Sequence, residues 1–321
     1  MNILVVGSSI FDIILEIEDK SQAETADGKV FLKLGDKIPV DINKLALGGD
    51  GADISVGLKR LSVDSTFYTF LGEDIFSKKI EQTLNKESVN LIAIREGENS
   101  SISLIVNFDR DRIIFSHREL REHDFSYEGK NPDFVYLSSM GEKWEEAYKK
   151  VLNFVKNNNI PLGFTPGSPQ LKKNSDILME VLKSSKIVFV NRQEAEKILR
   201  FQNIQYTDIK DVLFKVKNPG MEVLSVTDGL AGAYAMNQEG DFYFIEPFKN
   251  NTVDRVGAGD AYTSGFLSGY LLGMGIGECM RRGAFNSHSV VLKTGAQDGL
   301  LRKEEMDKMM EENREFKAEK I

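Results

Sequence analysis

The strongest chemical signal in the sequence is the segment 252–262, TVDRVGAGDAY. Gly257, Ala258 and Gly259 are small residues that the pattern places at the start of a helix. Backbone N–H groups and the helix dipole at such a start favour an anion such as phosphate. Asp260 follows in the first turn, where its carboxylate fits a base that takes the proton from a nucleophile attacking that phosphate. The alternative interpretation is a capping aspartate with glycines that allow tight packing.

A second glycine-rich segment, residues 47–61 (LGGDGADISVGLKRL), leads into a helix with periodic apolar residues. Gly48 and Gly49 would let another group approach the backbone closely. The short carboxylates of Asp50 and Asp53 would then be placed to hold the vicinal hydroxyl groups of a ligand. A glycine turn with capping aspartates is an equally simple interpretation of this segment by itself.

Two weaker signals also follow apolar runs. Asn191 and Glu194 lie three residues apart at the opening of a helix, so they share a face. Such a pair suits hydrated Mg²⁺ near phosphates, although a capping box has the same residues at the same spacing. Thr227, Gly229 and Gly232 form a small-residue turn after another apolar run, and taken alone they indicate only a turn.

The elements that must position these residues are visible as short, continuous apolar runs. Such runs indicate strands that are covered on both faces. Helical patterns rich in Lys and Glu lie between several of them, at 142–157 and 191–200, so we expect βαβ units and a mainly parallel sheet. Ligands of such sheets bind at the carboxyl-terminal strand ends. The runs are residues 2–7, 134–137, 187–190 and 223–226.

Two segments, 16–47 and 102–116, interrupt this alternation because they show strand character without an intervening helix. We interpret them as a small β lid inserted in a single domain of residues 1–321. The second segment resembles a hairpin that turns around Asp109 to Asp111. A simple extension of the main sheet is the alternative. Exposed lid strands would favour pairing with a second copy of the chain, so we expect a homodimer through the lid.

The composition excludes several classes of protein. The 321 residues include 41 Lys and Arg and 49 Asp and Glu, for a net charge of −8, which argues against a nucleic-acid partner. Cys279 is the single cysteine, so a disulfide framework and a Cys-rich zinc site are excluded, and a cytoplasmic location is expected. The uncharged stretch 261–277 is short for a membrane span and is interrupted by Gly, Ser, Thr and Tyr, so we expect a buried helix and no membrane association.

The four motifs occur in the order GGxGAD, NxxE, TxGxxG and DxxGAGD, and together they resemble the ribokinase-like (PfkB-type) carbohydrate kinases. The resemblance extends from Ile3 to about Gly299. It implies an α/β chain with a three-layer α/β/α fold, a mainly parallel central sheet and a small β lid. It also implies the ATP-dependent phosphorylation of a sugar hydroxyl group, with Mg²⁺ as the cofactor.

The resemblance assigns roles at the nucleotide end of the site. Asp260 matches the catalytic base, and the anion hole is matched by Gly257, Ala258 and Gly259. Asn191 and Glu194 match the pair that organises Mg²⁺ and phosphates, with Glu194 acting through water. Asn286 lies on the helix expected to line the adenine pocket. The nucleotide loop is matched by Thr227, Asp228, Gly229 and Gly232.

At the acceptor end, the resemblance implies that Asp12 holds sugar hydroxyl groups and that Gly48 and Gly49 form the hinge that couples sugar binding to lid closure. Asp53 is expected to bind substrate, although the family commonly has Asn there. Asp254 matches an aspartate that supports a monovalent cation such as K⁺ in many members.

The sequence leaves several classes of molecule as the phosphoryl acceptor. The carboxylates of Asp50 and Asp53 disfavour an anionic substrate, whereas Arg255 favours an acid sugar of the 2-keto-3-deoxygluconate type. A nucleoside kinase would need aromatic stacking in the acceptor pocket. A nicotinamide-dependent oxidoreductase and a sugar-sensing pseudokinase are the alternatives of other classes. The aromatic candidates are Phe11, Phe31 and Phe115.

Overall fold

Strands and helices alternate through most of the chain, as the apolar runs predict. The computed structural model describes residues 1–19, 23–26, 29–95, 97–108, 111–120, 123–248 and 252–321. The strands are β1 (Asn2–Val6), β2 (Ile10–Ile17), β3 (Ala23–Ala26), β4 (Lys29–Leu32), β5 (Val40–Gly48), β6 (Asp64–Leu71), β7 (Asn90–Arg95), β8 (Ile102–Phe108), β9 (Asp111–His117), β10 (Phe134–Leu137), β11 (Leu162–Phe164), β12 (Ile187–Asn191), β13 (Val223–Thr227), β14 (Ala233–Met236), β15 (Phe242–Ile245) and β16 (Glu319–Lys320). The helices are α1 (Asp50–Arg60), α2 (Ile75–Lys86), α3 (Glu145–Asn158), α4 (Ser168–Lys173), α5 (Asp176–Ser184), α6 (Arg192–Phe201), α7 (Ile209–Val216), α8 (Ala258–Leu271), α9 (Ile276–Val291) and α10 (Lys303–Glu312).

Within the described residues, ten strands form the main sheet in the order β16-β15-β14-β13-β12-β11-β10-β1-β6-β7. The pairings from β13 to β7 are all parallel, and the pairings from β13 to β16 are antiparallel. The sheet is therefore mainly parallel, and the connecting helices must cover its faces.

Strand β1 shows how the two faces of the main sheet are used. Ile3 and Val5 belong to one buried cluster, and Leu4 and Val6 belong to the other, because successive side chains of a strand point to opposite faces. Helices α1, α2, α8 and α9 contribute to the first cluster, whereas α3, α5, α6 and α7 contribute to the second. The predicted α/β/α arrangement of three layers is confirmed.

The segments without helices form a second sheet with the order β5-β2-β8-β9, which we call the lid sheet. These strands pair with one another, so the alternative of a simple extension of the main sheet is wrong. The lid sheet begins at Ile10, earlier than the predicted boundary at residue 16, because only three residues separate β2 from β1. Strands β3 and β4 form a separate antiparallel pair. Of the predicted turn at 109–111, residues 109 and 110 lie outside the described residues.

Helix α8 explains the uncharged stretch of the sequence. Its residues from Ala261 to Gly269 are all buried, between α1 on one side and α9 on the other. An ideal Cβ atom at Gly265 would lie 2.6 Å from the carbonyl oxygen of Arg282, so the two helices touch through their backbones. A helix that is apolar on all sides is buried in a core. Among the described helices, none combines the length and apolar character that a membrane crossing requires.

Candidate functional site

A cleft of about 370 Å³ lies at the carboxyl-terminal edge of the parallel strands. This is the edge where open α/β sheets bind their ligands. The lid sheet and the residues that directly precede β8 or follow β9 contribute Ile10, Ser101, Arg118 and Glu119 to its walls. The lining residues at or just after the ends of main-sheet strands are Gly7, Ser8, Ser9, Ser139, Thr165, Pro166, Asn191 and Thr227.

The amino-terminal end of α8 opens into this cleft. Gly257 is the N-cap residue and has a φ of 73°, a left-handed conformation that favours glycine. Ala258 begins the helix, and an ideal Cβ atom at Gly259 would have no heavy atom within 4 Å. The first backbone N–H groups of a helix have no partner inside the helix. Gly259 and Asp260 line the cleft, so this end of α8 is placed to receive an anion.

The carboxyl group of Asp260 is surrounded by other acidic groups. Burial raises its pKa well above the ordinary value, and the neighbouring carboxylates of Asp50, Asp53 and Glu194 raise it further. A carboxylate with a raised pKa is a stronger base than an exposed aspartate. Its position at the helix start, open to the cleft, is the geometry that a general base beside a phosphate site needs.

Gly48 and Gly49 allow a close approach between the lid sheet and the start of α1. An ideal Cβ atom at Gly48 would lie 2.3 Å from Oδ2 of Asp12, so a larger residue there would displace that carboxylate. Gly49 has a φ of 99°, and its ideal Cβ atom would lie 2.8 Å from the carbonyl oxygen of Ser8. Gly49 thus lies against Ser8 of the cleft wall, whereas Asp12, Gly48 and Gly49 are themselves absent from the described residues that line the cleft.

Asp12 lies on β2, on the face that it shares with Ser103 of the paired strand β8. Burial raises the pKa of Asp12 to about 6, against the opposing effects of a hydrogen bond with Ser103 and the positive charge of Arg118. Arg118 also donates hydrogen bonds to the carbonyl oxygens of Ile102 and His117. The buried carboxylate of Asp12 thus lies near the guanidinium of Arg118, which lines the lid end of the cleft.

Asp53 occupies a different place from the predicted one. It is 3% exposed, and its Oδ1 accepts a 2.7 Å hydrogen bond from Nε2 of Gln297. Burial raises its pKa, and the charges of Asp12 and Asp50 add to this effect. Among the described residues that line the cleft, Asp50 is present and Asp53 is not. The carboxylate that faces the cleft from α1 is therefore Asp50.

Asn191 and Glu194 form a capping box and line the cleft at the same time. The backbone N–H of Glu194 donates a hydrogen bond to Oδ1 of Asn191, and the backbone N–H of Asn191 donates one to Oε2 of Glu194. Both hydrogen bonds are 2.9 Å long. Burial raises the pKa of Glu194 to about 7, and Asp50 contributes to the shift. Both interpretations of this pair are thus compatible with one geometry.

The predicted nucleotide loop is only partly open to the cleft. Thr227 lines it, whereas Asp228 pairs with Arg192 at 3.0 Å. Gly229 and Gly232 have φ values of 55° and 97°. An ideal Cβ atom at Gly232 would lie 2.3 Å from the carbonyl oxygen of Ile245, so this glycine is required by packing between strands.

Two predicted site residues are held away from the cleft. Asn286 is 0% exposed. Its Nδ2 donates hydrogen bonds to the carbonyl oxygen of Ala261 and to Oγ of Ser264, and its Oδ1 accepts one from the backbone N–H of Leu301. The side chain therefore joins α9 to α8 instead of contacting an adenine ring. Both carboxylate oxygens of Asp254 accept hydrogen bonds, and Oδ1 also lies 2.7 Å from Nη1 of Arg112. A guanidinium at that distance repels a second cation, so the predicted monovalent-cation site does not fit this arrangement.

The aromatic side chains that sequence reasoning proposed for stacking also lie elsewhere. Phe11 is buried against Phe76 with ring centroids 5.3 Å apart. Phe31 and Phe115 are more than half exposed and are absent from the described residues that line the cleft. Arg255 is absent from that lining as well. The aromatic rings that do line the cleft are Phe70, His123 and Phe189.

Several of these lining residues were missed by sequence reasoning. The segment 165–169 (TPGSP) follows β11 directly, and its position after a strand was the available signal. Arg118 had no such signal, because it is one charged residue beyond the end of a lid strand and only the fold turns it into the cleft.

The profile of the pfkB family carbohydrate kinases matches residues 3–303. The chain belongs to this family. It is therefore a kinase, a phosphotransferase of the sugar and nucleoside kinase type, and the use of ATP is typical of its relatives. The alternative of a nicotinamide-dependent oxidoreductase is thereby excluded.

Similar proteins span almost the whole kinase. The nucleoside kinase of Methanocaldococcus jannaschii is 25% identical over 311 residues, which cover 93% of each chain. Its crystal structure has a TM-score of 0.74 and covers 97% of this chain and 98% of its own. A 5-dehydro-2-deoxygluconokinase of Clostridium botulinum is 25% identical over 313 residues, with 88% and 92% covered. The ribokinase of Thermotoga maritima shares the fold with a TM-score of 0.73 at 19% identity, and 96% and 99% of the chains are covered.

The substitution Glu194→Gln is expected to stabilise the kinase at high pH. The pKa of Glu194 is raised from 4.5 to about 7, so its ionisation costs the folded state free energy as the pH rises through that interval. Glutamine keeps the capping box without the charge. The variant should be more stable by about 1–3 kcal/mol at pH 8 and equally stable at pH 4, as measured by urea unfolding.

The matched control for this prediction is Glu196→Gln on the same helix. Glu196 pairs with Arg192 and Arg200, so its neutralisation should bring no gain at pH 8. A stability difference between Glu194→Gln and the parent protein that did not grow between pH 4 and pH 8 would contradict the prediction.

Proposed function

We propose that this kinase transfers the γ-phosphoryl group of ATP to a hydroxyl group of a sugar, with Asp260 as the general base and the start of α8 as the anion hole. The observation that carries the proposal is the position of Asp260, in the first turn of a helix whose amino-terminal end opens into the cleft. A phosphate at the helix start and an acceptor hydroxyl group beside the carboxylate would then lie next to each other.

In the proposed reaction the carboxylate of Asp260 accepts the proton of the acceptor hydroxyl group while that oxygen attacks the γ-phosphorus atom. The bond between the γ-phosphorus and the bridging oxygen breaks, and ADP leaves with the electron pair. Backbone N–H groups of the anion hole, at Gly257, Ala258 and Gly259, stabilise the negative charge on the transferring group. Thr227 and the loop after β13 lie where the nucleotide would extend.

The acidic groups around the cleft fit a magnesium ion bound together with the nucleotide. The charge of Asp50 raises the pKa of Glu194, and the charges of Asp50 and Glu194 raise the pKa of Asp260, which is the electrostatic situation that a bound cation relieves. The described residues contain no group of three or more side chains suited to direct metal ligation. Asn191 and Glu194 would therefore hold Mg²⁺ through water and phosphate oxygens, which is usual for this ion. When bound, the ion neutralises phosphate charge.

The lid end of the cleft supports a sugar as the acceptor. Asp12 would accept hydrogen bonds from hydroxyl groups, and the guanidinium of Arg118 would donate them. Ser8, Ser9 and Ser101 add small polar side chains to the same region. Such a set of short donors and acceptors suits a polyhydroxyl ligand.

A nucleoside is the second candidate acceptor, because one wall of the cleft is apolar and aromatic. Phe70 and His123 contact each other edge to face, with ring centroids 4.7 Å apart, and Met140 lies on the same lining. A nucleobase could stack there while its ribose meets the polar groups. The M. jannaschii relative is named as a nucleoside kinase. The acid-sugar alternative would depend on Arg118, since Arg255 is outside the described lining.

A coupled assay for ADP tests the proposal, with pentoses, hexoses, keto-deoxy sugar acids and nucleosides as acceptors and Mg²⁺ present. We expect a phosphorylated sugar, identified by ³¹P NMR, and a kcat lowered by about 10²–10⁴ in the Asp260→Asn variant. Turnover with nucleosides alone would favour the second candidate. The absence of turnover with every acceptor class, despite ATP binding, would show that the proposed function is wrong.

A homodimer through the outer face of the lid sheet is part of the proposal. The register places Leu45, Ile13, Leu104 and Phe115 in one row across the sheet, on the face opposite Asp12. Leu45 and Phe115 are 55% and 54% exposed, and a second copy would cover them. We predict that Leu45→Lys shifts the mass measured by light scattering from dimer to monomer, whereas Leu230→Lys, at an exposed site on the main domain, does not. A monomeric parent protein at micromolar concentration would contradict the prediction.

The proposed donor also bears on the location of the protein. Since ATP is the phosphoryl donor in the proposal, we propose that the kinase works in the cytoplasm, where its buried free thiol at Cys279 would stay reduced. Fractionation of cells with an antibody against the chain tests this, and recovery outside the cytoplasm would contradict it.

A further inference from the structure

A lid arginine makes an ion pair with the loop that precedes α8. Nη1 of Arg112, on β9, lies 2.7 Å from Oδ1 of Asp254, and the two side chains are 31% and 14% exposed. Oδ1 also accepts a hydrogen bond from the backbone N–H of Val256, and Oδ2 accepts one from that of Gly295, both at 3.0 Å. Asp254 therefore joins three separate parts of the chain.

A second lid cation reaches the same region. Lys44, on β5, donates a 2.7 Å hydrogen bond to the carbonyl oxygen of Thr294 and forms an ion pair with Asp298. Two strands of the lid sheet, β9 and β5, thus hold the loop 294–298 and its neighbour Asp254. These contacts link the lid sheet to the main domain by charge.

The loop 294–298 supports the anion hole directly. An ideal Cβ atom at Gly257 would lie 2.6 Å from Cα of Ala296, so the backbone of this loop touches the N-cap of α8. A displacement of the loop would therefore move the helix start, and misplacement of about 1 Å at a reacting centre can cost roughly 10²-fold in rate.

We propose that Arg112 is a positioning residue that, with the lid closed, supplies the positive charge at Asp254 and so orders the anion hole. This inference rests on the proposed function. The guanidinium stands where the sequence predicted an exchangeable monovalent cation, so the kinase needs no such ion at this position. Arg112 acts through Asp254, Gly295 and Ala296, and does not itself touch the transferring group.

Hydrogen exchange of backbone amides, followed by mass spectrometry without any substrate, tests the structural half of this proposal. In Arg112→Met, the amides of Val256 and Gly295 should exchange about tenfold faster, because their acceptor loses its fixed position. Lys33→Met removes a cation between β4 and β5, outside the lid sheet, that pairs with Asp36 at the surface, and it should leave this exchange unchanged. Equal exchange in Arg112→Met and the parent protein would overturn the proposal.

The kinetic half of the proposal is tested by steady-state kinetics in KCl and in choline chloride at the same ionic strength. The parent enzyme should have the same kcat in both salts. Arg112→Met should lose about 10- to 100-fold in kcat with little change in the KM for ATP, and millimolar guanidinium should restore part of the loss. Arg112→Lys, which keeps a charge, should lose less. Strong activation of the parent enzyme by K⁺, or an unchanged kcat in Arg112→Met, would overturn the inference.

These two experiments separate the inference from the proposed function. If no acceptor were phosphorylated, the proposed function would fail while the exchange measurement still decided whether Arg112 orders the loop. If phosphorylation occurred but Arg112→Met exchanged and reacted like the parent protein, only the inference would fail.

Discussion

Replacing Asp260 by asparagine is expected to lower kcat by about 10²–10⁴ while the kinase still folds and binds ATP. Asparagine has nearly the same shape but accepts no proton. Because burial and the charges of Asp50, Asp53 and Glu194 disfavour the ionised carboxylate, the neutral amide should also raise the melting temperature at pH 8. The measurements are ADP release with the best acceptor, calorimetric titration with ATP, and thermal unfolding.

Asp64→Asn is the control for loss of a carboxylate, because Asp64 is exposed and pairs only weakly with Lys59 at the surface. It should leave kcat, ATP binding and stability nearly unchanged. An Asp260→Asn variant with close to normal turnover would show that the base has been assigned to the wrong residue.

The assignment of Asp260 as the general base also determines how the activity depends on pH. The active form of Asp260 is ionised, so activity should fall as the pH drops through its raised pKa, and this acid limb should lie well above the ordinary range of an aspartate. Asp50→Asn removes one of the negative neighbours, which lowers the pKa of Asp260 and should move the acid limb of kcat/KM to lower pH.

Gly257→Ala and Gly259→Ala should separate stability from activity at two positions of one segment. At Gly257 the φ of 73° is unfavourable for alanine by about 1–2 kcal/mol, and the new Cβ atom would lie 2.6 Å from the backbone of Ala296. We expect a lower melting temperature and a loss of roughly 10² in kcat, because the start of α8 must shift.

At Gly259 the same methyl group has no heavy atom within 4 Å, and alanine favours a helix over glycine by about 0.5–1 kcal/mol. The fold should therefore be as stable or slightly more stable. The methyl group would nevertheless enter the space proposed for phosphate, so the KM for ATP should rise about tenfold or more. Urea unfolding and steady-state kinetics on both variants are the measurements. Full activity in Gly259→Ala would place the phosphates elsewhere.

Local features of the site could be predicted from the sequence because they depend on neighbouring residues. A run of small residues before Asp260 produces a helix start with accessible N–H groups wherever the chain places it. The spacing of Asn191 and Glu194 is sufficient for the capping box that the structure contains. The continuous apolar runs likewise predicted the buried strands of the main sheet, since a strand covered on both faces needs apolar side chains in both directions.

The contacts that sequence reasoning missed join residues far apart in the chain. Asp53 meets Gln297 across 244 positions, and Arg112 meets Asp254 across 142. Asn286 was expected beside the nucleotide, but α9 turns its amide into the junction with α8. In each case a polar side chain found its partner only after the topology had brought two distant segments together, and no local spacing encodes that pairing.

The amino-acid sequence by itself determined the layered α/β architecture, the family and the local chemistry of the start of α8, because periodicity and short-range hydrogen bonding act over a few residues. Only the tertiary structure decided which carboxylates face the cleft and which are buried, and that a lid guanidinium lies against Asp254. The physical reason is that burial and charge pairing are properties of the assembled surroundings, and those surroundings come from segments that the chain brings together only when it folds.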